Sequence, residues 1–207
     1  MARLRRKRRG SYHHGDLRRA LLEEALRIID EEGVPAVSTR VLARRLGVSH
    51  AAPAHHFSSR EALLAEVAVQ GFRTFADALE AAAASKTEPR ARLAAVGRAY
   101  VHFAVRHPSY LRVMFGRGFK DGFETPEALQ AESTRAYRVL TAAVASVVES
   151  QGQDAESADE LAFAAWSLVH GMAMLWIDGP AQRTLGTLDS FEALADRVLG
   201  RSVLGFA

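Results

Sequence analysis

The chain has no cysteine among its 207 residues, which excludes a disulfide framework and any cysteine-ligated zinc or iron–sulfur site. That pattern fits a reducing cytoplasm. Prolines are few, six in all, and they fall at plausible helix starts. No run shows the apolar/polar alternation of a strand bounded by turn residues. A long membrane-type run is also missing. The one extended uncharged stretch, Leu161 to Ile177, contains Ala, Ser, His and Gly and has acidic residues on both flanks. It is expected as a buried helix, because a span needs about 20 apolar residues and usually basic anchors. The opening MARLRRKRRG is basic, but SYHHGDLRRA follows it where a secretory signal would place its apolar core. A cytoplasmic protein with no membrane partner is therefore expected.

What is present is a core-forming composition, 48% apolar, and an uneven charge. The net charge is only +3, yet residues 1–60 hold 13 Lys and Arg against 6 Asp and Glu, whereas residues 61–207 hold 14 against 18. One end is suited to meeting a polyanion. The periodicity is helical nearly everywhere, so the fold class is all-α. A first helix follows Asp16 as N-cap and carries Leu17, Leu21, Ala25, Ile28 and Ile29 on one face until Gly33. Ser38 caps a short helix, Thr39 to Leu46; Gly47-Val48-Ser49 forms a turn; a second short helix spans about His50 to His56. The S-x-x-E box Ser58 to Glu61 opens a long helix. Further helices are expected from Pro89 to about Arg106, from Pro108 to near Phe115, and from Thr125-Pro126 to Glu149. Between the last two, Gly116 to Pro126 is the longest candidate loop. The box Ser157 to Glu160 precedes the helix ending at Ile177, and a variant box, Asp189 to Glu192, precedes the last helix.

Two short helices joined by a turn with Gly at its first position can present the second helix to a major groove. Leu42, Ala43 and Leu46 pack the pair, Gly47 permits the sharp turn, and Val48 plugs its inside. The second helix then exposes Ser49, His50, Ala51, His55 and His56, short or flat side chains suited to base edges and phosphates. On spacing alone, a plain helical hairpin with solvated polar residues stays open.

The residues Ser38, Arg40, Leu42, Ala43, Leu46, Gly47, Val48, Ser49, His56, Phe57, Glu61 and Leu63 follow a pattern that resembles the TetR family of transcriptional regulators. The resemblance covers roughly residues 12–72. It implies a three-helix DNA-binding module with a helix-turn-helix at residues 12–60, preceded by a basic, disordered arm at 1–11. A larger helical domain for ligand binding and dimerisation follows at 61–207. By the same resemblance, Thr39 and Arg40 reach phosphates or base edges, Ser49, His50, Ala52 and His55 read the groove, and His56 approaches the backbone. Phe57 locks the module into the core, and Arg60 takes a phosphate role usually held by Lys. One departure stands out: Ala54 occupies the place of an aromatic that commonly lies against the DNA backbone. Arg3, Arg5, Arg6, Lys7, Arg8 and Arg9 of the arm can offset that loss by neutralising phosphates or entering a minor groove.

In the second half, Phe103, Met114, Phe115, Phe119, Phe163, Trp166, Met172 and Met174 supply a bulky, adaptable apolar set able to line a cavity. His170 interrupts an uncharged helix and needs a polar partner, either another protein group or a ligand. The string from Trp166 to His170-Gly171 resembles a W-x-x-x-H-G signature of one subgroup of these C-terminal domains. Leu161, Leu168, Val169, Leu175 and Trp176 exceed what one helix face can bury, so a homodimer is expected, with a palindromic operator as its partner in double-stranded DNA.

No enzyme is expected. The spacing of Gly116, Gly118 and Gly122 misses the dinucleotide fingerprint, and no G-x-S-x-G or P-loop occurs. The adjacent pairs His13-His14 and His55-His56 suit no single metal, and no cofactor is implied. The arm has only Leu4 to insert into a bilayer, which does not make an amphipathic anchor. The resulting expectation is a repressor responsive to an unidentified small molecule. The alternative is a helical interaction module that does not read DNA sequence.

Overall fold

The computed structural model describes residues 14–116, 124–152 and 157–202. The basic arm, Phe119 and most of the Gly116–Pro126 segment lie outside the described residues. Among the described residues the structure is helical: α1 (His14–Glu32), α2 (Thr39–Leu46), α3 (Arg60–Ala84), α4 (Pro89–Arg106), α5 (Pro108–Met114), α6 (Glu127–Ser150), α7 (Ser157–Ile177), α8 (Pro180–Leu185) and α9 (Leu188–Ser202), with single 3-10 turns at Val34–Ala36 and Pro53–His55. The chain divides into two compact units, residues 1–63 and 64–207.

The first unit is built on the apolar stripe of α1. Leu21, Ala25, Ile28 and Ile29 are buried with Val37, Leu42, Ala43, Phe57 and Leu63, as a stripe at helical spacing requires. Arginines tie down its acidic rim. Arg45 of α2 donates to Glu31 at 2.7 Å and to Glu24 at 3.4 Å, and also binds Glu32. Glu24 is buried and would be costly there without Arg45 and Arg27, the latter at 3.0 Å. The Arg18 guanidinium lies 5.2 Å from the Phe57 ring centroid, a cation–π distance.

In the second unit α4 packs against α6, α7 and α9. Its buried side chains include Leu93, Val96, Tyr100, Val101 and Phe103. Gly97 allows the close approach: a Cβ there would stand 3.2 Å from Leu199 of α9 and 3.6 Å from Val169 of α7.

Several local expectations require correction. Helix α1 starts at His14, so Asp16 lies within it. The cap of α3 is Ser59, whose Oγ accepts from the Ala62 N–H at 3.0 Å, one residue on from the expected Ser58. Ser157 is the first residue of α7. Helix α9 is capped by Thr187, which accepts from the Ser190 N–H at 3.2 Å, and Asp189 sits inside the helix. Helix α8, between Gly179 and Gly186 at φ 90° and 78°, was not expected. Finally, α7 is only partly a core helix. Ala162, Val169, Ala173 and Ile177 are buried, but Phe163 and Leu175 are 62% and 54% exposed. By length and composition alone α7 could cross a membrane, but among the described residues it packs against α4 and α6.

Candidate functional site

In the first unit, two local devices fix the segment between α2 and α3. Ser38, in extended conformation, accepts from the Val41 N–H at 3.2 Å and so caps α2. At the other end Gly47 adopts φ 66°, and the Val48 N–H reaches back to the Ala43 carbonyl at 3.0 Å. That is the left-handed closure which glycine makes without steric cost.

The segment beyond Gly47 is not the α-helix expected over His50–His56. It is a tight coil of three-residue bonds: Ala52 N–H to Ser49, Ala54 to Ala51, His55 to Ala52 and His56 to Pro53. Pro53 explains the difference. It has no N–H to offer the Ser49 carbonyl, which instead takes the Ala52 donor at 3.0 Å. Pro53 and Phe57 are buried and anchor the coil. Outward it presents Ser49, His50, Ala51, Ala54 and His55, with Ala52 and His56 half-covered.

Of the other residues expected to meet DNA, Arg40 is exposed and Thr39 half-buried. Arg60 does not stand free for a phosphate. Its Nε donates to the Val37 carbonyl at 2.8 Å and its Nη2 to the Val34 carbonyl at 2.9 Å. It serves as a strut for the turn before α2, adding a second donor to the Val34 carbonyl, which already accepts from the Val37 N–H at 3.2 Å, and satisfying the Val37 carbonyl. The sequence reading passed over Arg44. That side chain is exposed and one helical turn beyond Arg40, so the two share a face. The R-x-x-x-R spacing was available as a signal.

The second unit contains an apolar cavity of about 340 Å³. Phe72, Phe75 and Leu79 of α3 form one wall and Ser133, Ala136, Tyr137 and Leu140 of α6 another; Tyr100, Phe115 and Trp166 close it. Phe115 and Trp166 thus line it, as two of the seven pocket residues expected from sequence. The other five do not. Phe103 is buried behind the wall, its ring 4.9 Å from Phe75. Met114 packs on Gly71, where a Cβ would come within 2.7 Å of its sulfur. Phe163 faces outward, and neither Met174 nor His170 reaches the lining. His170 supports the lining from behind. Its Nδ1 lies 2.8 Å from the Tyr100 hydroxyl, and its ring is 5.0 Å from Phe115 and 6.1 Å from Trp166. Burial holds the His170 imidazole below its ordinary pKa. Burial also pushes the Tyr100 phenol well above its own, a shift that a hydrogen bond from Trp166 partly opposes. Both groups are therefore neutral at pH 7.

Ion pairs run along the seam between α3 and α6. Arg135 binds Asp77 at 2.6 Å, Glu80, and Glu132 at 3.3 Å, while Arg73 binds Glu132 at 3.0 Å. The carboxylates hold the Arg135 guanidinium even more firmly protonated than usual, Glu80 foremost.

Among the residues expected to pair two copies, Leu175 is exposed and Leu161 and Leu168 are half-buried. Val169 is 5% exposed and packs within its own chain, and Trp176 stacks on Phe191 of α9 at 4.8 Å. Intramolecular packing thus takes up Val169, while Trp176 is half-buried. Phe163, which is exposed, lies on another side of α7, next to Trp166 at 6.3 Å.

Residues 21–67 match the family model described as bacterial regulatory proteins, tetR family. Residues 93–198 match the one described as tetracyclin repressor-like, C-terminal domain. The chain is 29% identical over 182 residues to the uncharacterized HTH-type transcriptional regulator Rv0681 of Mycobacterium tuberculosis, spanning 88% of this chain and 78% of that protein. A solved protein of unknown function from Rhodococcus sp. RHA1 is 34% identical with a TM-score of 0.72, over 93% of this chain and 98% of that one. The TetR family transcriptional regulator PfmR from Thermus thermophilus is 25% identical with a TM-score of 0.65, over 88% and 94%.

Proposed function

The chain belongs to the TetR family and is a ligand-responsive, DNA-binding transcriptional regulator, and we propose that it is a homodimeric repressor that reads a palindromic operator and releases it when a small molecule fills the α3–α6 cavity. The observation that carries this reading is the outward set Arg40, Arg44, Ser49, His50 and His55, held on a segment fixed by Gly47, Pro53 and Phe57. Two positive side chains one turn apart suit phosphates. The short donors and acceptors beside them suit base edges. Thr39, Ala52 and His56 flank that set; Arg60 supports it from within.

Two copies pair through the outward face of α7 that carries Leu161, Leu168 and Leu175, seven residues apart and so in one row along the helix. Leu175 is 54% exposed and the other two are half-buried, so the row is costly in water and gains from a twin. Helix α3 runs unbroken from Arg60 to Ala84, so residues of the first unit and residues lining the cavity belong to one continuous helix. Among structures of the same fold, AibR was solved with isovaleryl coenzyme A and operator DNA, which supports a combination of effector and operator here.

Selection of bound duplexes from a random pool by the purified protein tests this reading. The expected result is an inverted repeat whose recognition Arg40→Ala weakens without lowering the melting temperature. Weak binding that is indifferent to sequence would overturn it.

A further inference from the structure

The cavity's walls restrict what it can hold. Among the described residues no Lys, Arg, Asp or Glu lines it, and six of the ten lining residues are aromatic: Phe72, Phe75, Tyr100, Phe115, Tyr137 and Trp166. Its few polar atoms are largely occupied. The Ser133 hydroxyl donates to the Gln130 carbonyl at 3.0 Å, and the Tyr100 hydroxyl is engaged with His170. The guanidiniums paired along the α3–α6 seam, Arg73 and Arg135, are each bound by carboxylates. Three acids against two bases leave that seam net negative. A carboxylate or phosphate entering here would lose its hydration without gaining a cation from the described walls, a loss that apolar contact does not offset.

From this we infer that the effector is a neutral, largely aromatic molecule of about two fused rings with at most one hydrogen-bonding group, and not an acid or a coenzyme A thioester. The inference rests on the reading of this cavity as the effector site. Size points the same way as charge: an apolar cavity of roughly 150 Å³ takes up benzene, and this one is about 340 Å³. The Ser133 hydroxyl, whose proton goes to Gln130 but whose lone pairs can still accept, marks where a single alcohol or phenol would sit. His170 is a positioning residue, because it holds the Tyr100 phenol without reaching the lining itself.

The test is calorimetric titration of the full-length protein with three probes sharing one skeleton: naphthalene-methanol, naphthoate and naphthylmethyl-trimethylammonium. The neutral alcohol should bind at least about tenfold more tightly than either ion, a difference well within what burial of a charge costs. Ala136→Leu, which fills the void, should abolish that binding while the helical content is retained. Ser133→Leu is the second blocking variant should Ala136→Leu prove unstable. Tyr137→Arg, at a position 44% exposed, should reverse the ranking in favour of naphthoate. Equal or tighter binding of naphthoate by the wild-type protein would overturn the inference. Failure of all three probes to bind would also overturn it, even with operator binding intact. If the alcohol binds and operator affinity does not change, the ligand class stands and the effector reading fails.

Discussion

Arg44, Arg45 and Arg60 have the same side chain, yet geometry gives them different duties. Arg44 faces solvent, Arg45 joins three acids of α1, and Arg60 is bonded to two carbonyls. Arg44→Ala should therefore weaken operator binding in a gel-shift titration and leave the melting temperature within about a degree, as a surface change usually does. Arg60→Ala should lower the melting temperature instead. Loss of operator binding by Arg60→Ala at unchanged stability would restore the phosphate role. Gly47→Ala forces a Cβ onto φ 66° and should cost about 1–2 kcal/mol in denaturant unfolding. His170 carries a pH prediction. Its folded-state pKa is depressed by burial, so below the ordinary histidine value of about 6.5 the unfolded chain binds more protons than the folded one. Stability should fall as pH drops from there toward the depressed value. His170→Phe should flatten that part of the profile relative to wild type.

At the scale of elements, the coil from Ser49 to His56 is set by one missing donor. Restoring it with Pro53→Ala should let the Ser49 carbonyl accept an α-type bond and raise helicity slightly. It also removes a buried ring, so stability should not rise. Helix α7 shows the limit of reading burial from composition. Its uncharged run satisfies a buried helix and an interface helix equally well, and only the position of α4 and α6 decides which face is covered. If the outward face pairs two copies, Leu175→Asp combined with Leu168→Asp should convert the sedimentation profile from dimer to monomer with the helical content retained. An unchanged profile would exclude this face as the interface.

For the whole molecule, charge and linkage give the expected behaviour. The positive excess lies in residues 1–60, so operator affinity should fall steeply with salt, with a log–log slope near −0.9 for each phosphate neutralised. Deleting residues 2–9 should make the slope shallower. Effector and operator must also act on each other equally. Whatever factor the ligand takes from operator affinity, the operator must take from ligand affinity. A ligand that binds free and operator-bound protein with the same constant would exclude the release mechanism.

The sequence by itself determined the all-α class, the bounds of α2 and α4, and the residues that carry the family resemblance. Those features are local: a Ser cap, a glycine where φ must be positive, a proline at a first turn, and apolar spacing at 3.6 residues. It also showed that Phe115 and Trp166 belong to an apolar set. It could not separate them from Phe103, Met114, Phe163 and Met174, because the choice between core, cavity wall and outer face is made by which helices lie alongside. Only the tertiary structure brought Tyr100 to His170 across 70 residues, turned Arg60 inward, and paired Arg73 and Arg135 with carboxylates along the α3–α6 seam. Side-chain chemistry is written in the sequence, but the partner that satisfies each group comes from elements distant along the chain.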